Sequence, residues 1–133
     1  MATTYSSFLS ALAGTTVSGV TRQFTLSQSP PTTLDTADLP ASFVIPGGSE
    51  NAAPVAFSGQ MGRTFRGTLV IIIQPDGQDT APANYAVAVS LMDALHTGLQ
   101  SSMTMYDMTP TWAIREGHRG DYWAVWAEVT LQE

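Results

Sequence analysis

The chain has 133 residues, 44% hydrophobic and 12% charged, with no cysteine and a formal net charge of −6 at pH 7. That length suits one domain with a real core and is short for a sheet with helices on both faces, and the composition is the opposite of a disordered chain's. Disulfides and thiolate metal sites are excluded, and five arginines against eleven carboxylates give too few clustered cations to hold a phosphate backbone.

A surface so thinly charged points to part of it being covered in the working state. The stretch from Met1 to Leu12 lacks the basic start of a secretory signal and no run approaches a membrane span, so the chain is expected to be soluble and unprocessed. Thr3 or Thr4 can cap a short helix through Leu12 or Ala13 that Gly14 stops. Tyr5, Phe8, Leu9 and Leu12 recur at helical spacing and predict a core-facing stripe; a membrane-surface helix would want Lys or Arg, and none is present.

Val17 to Ser27 alternates as a strand, with Val20, Arg22, Phe24 and Leu26 opposed to Thr21, Gln23, Thr25 and Ser27. Gln28 to Pro40 holds three prolines and no period, which predicts a long loop, either a plain connector or a functional arm. A short strand is expected over Ala41 to Ile45, closed by Pro46-Gly47-Gly48. Val55 to Phe57 reads as the first arm of a hairpin into the next strand, with Gly59 and Gly62 framing the turn.

That next strand, Arg63 to Gln74, is the most informative stretch. Phe65, Leu69, Ile71 and Ile73 alternate with Thr64, Arg66 and Thr68, and from Leu69 onward both sides are apolar. A strand apolar all round is covered on both faces. Leaving Val70 and Ile72 in water would forgo roughly 3–6 kcal/mol, a large share of a typical net stability of about 5–15 kcal/mol.

Pro75-Asp76-Gly77 ends the strand, Asp79 or Thr80 caps the next element, and Ala83 to Leu99 is the main helix. It carries one stripe of Ala88, Leu91, Leu95 and Leu99 and a second of Tyr85, Val89 and Met92. After a methionine-rich link, Thr111 to Glu116 and Asp121 to Leu131 are two strands joined by the four residues Gly117-His118-Arg119-Gly120. In the last strand Trp123, Val125, Ala127, Val129 and Leu131 share the core face. Tyr122, Ala124, Trp126, Glu128 and Thr130 share the other, whose aromatics beside a carboxylate have the composition of a protein interface.

The order of elements predicts an α+β domain: a single mixed or antiparallel sheet of about five strands, with the main helix and the short N-terminal helix packed on one face. The other face, with Val70, Ile72, Tyr122 and Trp126, is expected to wait for another subunit.

Signals for chemistry are weak. His96 on the helix and His118 in a turn have no ligand-spaced partner, and no lysine, cysteine or GxSxG elbow offers an activated nucleophile. Pro46-Gly47-Gly48-Ser49 lacks the lysine and following helix of a phosphate loop. Asp35 and Asp38 sit in a proline-rich loop without apolar shelter. No cofactor is expected. Arg63 and Arg66 fall on opposite faces of the long strand and Arg115 and Arg119 flank the terminal hairpin, either as solvated strand ends or as partners for carboxylates of a neighbouring copy.

The short N-terminal helix, the ADLPASFVIPGG stretch from Ala37 to Gly48, an arginine-bearing strand running into LVIII, the helix ANYAVAVSLMDALHTGL and the closing strand YWAVWAEVTL together resemble the tail terminator proteins of long-tailed bacteriophages. The likeness is one of layout over nearly the whole chain. It implies a non-enzymatic virion protein, in the host cytoplasm during assembly, that closes into a homo-oligomeric, hexameric ring on the tail tube protein, ends tube growth and meets a neck or head-completion protein. DNA would pass through the lumen without specific binding, and no membrane is implied. Interface residues on this reading are Arg63, Arg66, Val70, Ile72, Arg115, Tyr122, Trp126 and Glu128. The alternatives are a stopper protein of the neck, or a small enzyme or ligand-binding domain with its site between the Gln28 to Pro40 loop and the sheet.

Overall fold

The computed structural model describes residues 4–29, 36–54, 61–75, 81–103, 109–119 and 122–132. Five strands, β1 (Arg22–Gln23), β2 (Ala41–Pro54), β3 (Met61–Pro75), β4 (Thr109–Arg119) and β5 (Tyr122–Gln132), form one sheet in the order β1-β2-β3-β5-β4. β1 runs parallel to β2, and every other pair is antiparallel. Helices α1 (Tyr5–Ala13) and α2 (Ala81–Met103) lie on the same face, giving the expected α+β arrangement.

The period of the central strands decides where the core sits. Leu69, Ile71 and Ile73 of β3, Val125, Ala127, Val129 and Leu131 of β5 and Val44 of β2 point toward the helices. α1 meets them with Phe8, Leu9 and Leu12, and α2 with Ala88, Leu91, Leu95, Leu99 and Met103. The first stripe expected on α2 is therefore its buried one. In the second stripe Val89 is exposed and Met92 half-buried.

α1 starts where its sequence says it should. The Thr4 side chain accepts from the Ser7 amide at 3.1 Å and the Ser7 hydroxyl accepts from the Thr4 amide at 3.0 Å, a reciprocal cap. The helix rests directly on Gly67 of β3, where a Cβ would stand 3.0 Å from Leu12 and 3.1 Å from Leu9. Tyr5 fastens the near end: Gly48 N–H donates to its hydroxyl at 2.7 Å, and the hydroxyl donates to the Arg66 carbonyl at 2.9 Å. Gly48 and Arg66 are register partners beside the bulge between Pro46 and Gly48, so the phenol bridges the ladder where the bulge opens it.

α2 meets the segment after α1 at Gly98. Thr15 is buried, donates to the Ala11 carbonyl at 3.1 Å and shares a hydrogen bond with the Ser102 hydroxyl at 2.8 Å. A Cβ on Gly98 would lie 2.5 Å from the carbonyl oxygen of Thr16, closer than any real contact. Gly→Ala inside a helix is ordinarily worth about 1 kcal/mol of stability. Here the sign should reverse, with Gly98→Ala costing roughly 1–3 kcal/mol through the forced backbone shift. A urea melt that finds the variant more stable than the parent refutes this close approach.

Several boundaries differ from the sequence expectation. Val17 to Ser27 is not one strand: β1 is confined to Arg22–Gln23, and a 3-10 turn follows over Leu26–Gln28. Local hydrogen bonds outcompete the ladder there. Gln23 turns its side-chain amide to the carbonyls of Ala13 (2.7 Å) and Thr15 (2.9 Å) at the end of α1, while the Gln28 side chain accepts from the Thr25 amide at 3.2 Å.

β2 does not stop at Ile45. Pro46-Gly47-Gly48 forms the bulge, with Gly48 at φ +99, and pairing resumes to Pro54. The terminal hairpin is tighter than expected: Gly117, His118 and Arg119 belong to β4, and Arg119 pairs with Tyr122. α2 runs to Met103, which is buried. The strand expected over Val55 to Phe57, the cap at Asp79 or Thr80, and Asp35 lie outside the described residues.

Candidate functional site on the second face of the sheet

The face away from the helices was expected to stay open. Its upper half is instead closed by the chain itself. Phe24, which follows β1, packs with Ala41 and Phe43 of β2, Val70 and Ile72 of β3 and Ala124 of β5, with Leu39, Ile45, Tyr122 and Trp126 around them. Val70 is 0% and Ile72 3% exposed, so neither is available to another subunit. Their assignment to an interface is corrected on this ground.

The cover was hidden in the sequence because it is short. Phe24 is one side chain beyond a two-residue strand. The Phe24 amide donates to the Ser42 carbonyl at 2.8 Å, which extends the β1 ladder and sets Phe24 beside Phe43 in the row that runs on to Val70 and Trp126. Arg22 stacks on that ring, 4.8 Å from guanidinium carbon to centroid, and reaches Asp38 at 3.9 Å. The charge among the apolar positions of this stretch thus marks the rim of a small second core, and Asp38 closes the same rim.

The lower half of the face is polar. Across the sheet the registers align Ile45, Thr68, Glu128 and Ala113 in one row, and Arg66, Thr130 and Thr111 in the next. Arg115 meets Glu128 at 3.5 Å, both about half in solvent, a pair worth little to stability. Trp126 pairs with Arg115 in register and spreads its indole across β4, where a Cβ on Gly117 would come within 3.3 Å of the ring. Tyr122 and Trp126 are half-buried, so each keeps an accessible edge.

Seven of the eight residues named as interface candidates therefore share one face, with Trp126 near its centre and Val70 and Ile72 buried in it. Arg66 is exposed on this face, two positions along β3 from Thr68. Arg63 belongs to the opposite one, with its guanidinium 5.6 Å from the Phe65 ring centroid. His96 is exposed on α2, and its Nδ1 accepts from the Trp112 indole N–H of β4 at 3.1 Å. That link between helix and edge strand left no trace in spacing. The side chain of His118 lies outside the described residues.

The hollow beside the end of α1, about 650 Å³, is lined by Ser10, Ala13, Gly14, Gln23, Phe24, Thr25, Leu26 and Ser27, none of which is an acid or a base. Among the described residues, no three His, Cys, Asp or Glu side chains converge as a metal site would require. Among the same residues no helix is long and apolar enough to cross a membrane. Set against models of known protein families and against curated proteins, the chain finds no match.

Proposed function

We propose that this protein is a non-enzymatic assembly subunit of the tail-terminator kind, which joins sister copies into a ring on a phage tail tube. The layout of its elements supports the reading, together with one local observation: Tyr122 and Trp126 remain half-exposed beside the Arg115–Glu128 pair on an otherwise finished face. Aromatic side chains with a charged rim are what interfaces concentrate. The support is narrower than the sequence suggested, because the sheet does not need a neighbour to complete its apolar half. The contact surface is the rim formed by Trp126, Tyr122, Arg115 and Glu128, with Arg66 at its polar end.

On this reading Trp126→Asp weakens self-association, or capture by purified tail tubes, at least tenfold while the subunit keeps its fold. Sedimentation with and without tubes, beside a circular dichroism spectrum, reads both effects. An unchanged assembly, or an unfolded monomer, removes Trp126 from the contact surface. The tubes matter because a ring subunit can stay monomeric in dilute solution until its template is present. Binding to portal complexes in place of tubes identifies a neck stopper.

A further inference from the structure

The two long edges of the sheet differ in a way that the ring reading does not use. β2 is tied down on its outer side: the Val44 amide donates to the Ser29 hydroxyl at 3.4 Å, Pro46 has no donor and a bulge follows it. Among the described residues, β4 pairs with β5 alone along its whole length, Thr109 to Arg119. Which of its backbone groups are open follows from the ladder. The Phe24 amide on the Ser42 carbonyl turns the even residues of β2 toward β1 and the odd ones toward β3. Carried through the registers Phe43↔Val70, Ile71↔Val125 and Ala124↔Gly117, this alternation leaves Trp112, Ile114 and Glu116 with amide and carbonyl facing outward.

A shelf lies over that edge. Trp112 and Ile114 pack against the core yet remain partly exposed. The Trp112 indole is held to His96 of α2, and Met92 and Val89 lie one and two turns back on the same helical stripe. Val89 is 54% exposed, the most open large apolar side chain among the described residues. On the opposite side of the strand Arg115 has 61% of its side chain in solvent and touches Glu128 through Nε. β4 holds two of the chain's five arginines, in a protein of net charge −6.

We propose that the outer edge of β4 binds an extended segment of another polypeptide as an added strand, one that alternates apolar residues toward the α2 shelf with carboxylates toward Arg115. Backbone hydrogen bonds to Trp112, Ile114 and Glu116 hold the segment, and the alternation selects it. The inference concerns the sheet edge and shares only Arg115 with the Trp126 rim, so Val89→Lys and N-methylation test it apart from the ring reading.

The test uses a fluorescein-labelled nonapeptide alternating Val and Glu, its Val-Lys counterpart, and a version N-methylated at the alternate amides that would face β4. Saturable binding of the Val-Glu peptide is expected, weakened at least about tenfold by N-methylation and by Val89→Lys, with Arg115→Glu shifting the preference to the Val-Lys peptide. Val89 and Arg115 are exposed, so both variants should fold, and circular dichroism checks this. Three results overturn the proposal: no saturation below millimolar peptide, equal binding of the methylated peptide, or an unchanged preference in Arg115→Glu. Self-association of the protein through β4 that the peptide does not displace would also overturn it, assigning the edge to a second copy.

Discussion

Val70→Asp should unfold the subunit. The side chain is fully buried between Phe43 and Trp126 in register, within the small core that Phe24 covers. The change removes about 1.5–3 kcal/mol of apolar burial and places a carboxylate among the apolar side chains of this core, at a further cost of several kcal/mol. Against a net stability of about 5–15 kcal/mol, little folded protein should remain at 37 °C. Val70→Ala should cost about 2–3 kcal/mol and keep the fold. Urea melts of both, with circular dichroism of the Asp variant, measure this. A folded, monomeric Val70→Asp protein would restore Val70 to a subunit interface and reject its place in the chain's own core. The contrast with Trp126→Asp is the useful part: neighbours in register, one is expected to destroy the fold and the other to spare it.

Phe8→Ala carries the second large effect, roughly 3–5 kcal/mol. Phe8 is 0% exposed and its ring sits 6.0 Å from Phe65 and 6.2 Å from Tyr5. Nine residues are too few for a helix to persist in water unaided, so α1 exists because it is packed. Loss of Phe8 should loosen the whole helix, and with it the Tyr5 bridge between Gly48 and Arg66. Native-state hydrogen exchange should find the amides of α1 opening well before those of β3 and β5. If they open together, or if the melt shifts by under about 1 kcal/mol, α1 is not held to the sheet by Phe8.

Much of this architecture was legible in the residue pattern. The alternation in β3 and β5 placed Leu69, Ile71, Ile73, Val125, Ala127, Val129 and Leu131 on one face, and the stripe on α2 was read with its correct members. Those readings succeed because a strand's two-residue period and a helix's 3.6 are set by backbone geometry alone. Val70 and Ile72 were correctly recognised as needing cover. What covers them was not legible, since the side chains packed with them come from separate segments, Phe24, Leu39, Phe43 and Trp126 among them.

The errors at the edges share a cause. Pro46-Gly47-Gly48 has the composition of a turn and became a bulge, because Tyr5, forty-three residues away in sequence from Gly48, supplies the missing partner. Thr25 to Ser29 has strand alternation, yet its short polar side chains bond one another and the local backbone. Gly117-His118-Arg119 was read as loop and is strand, with Trp126 filling the space that Gly117 leaves.

The sequence by itself therefore determined which faces of the long elements are apolar, since that depends on residue spacing. It also determined that β3 had to be covered on both sides. Tertiary structure alone decided what supplies the second cover. Burial is a property of contacts between residues distant along the chain, and side chains from several segments, Phe24, Leu39, Phe43 and Trp126 among them, together close a face that periodicity marks as open.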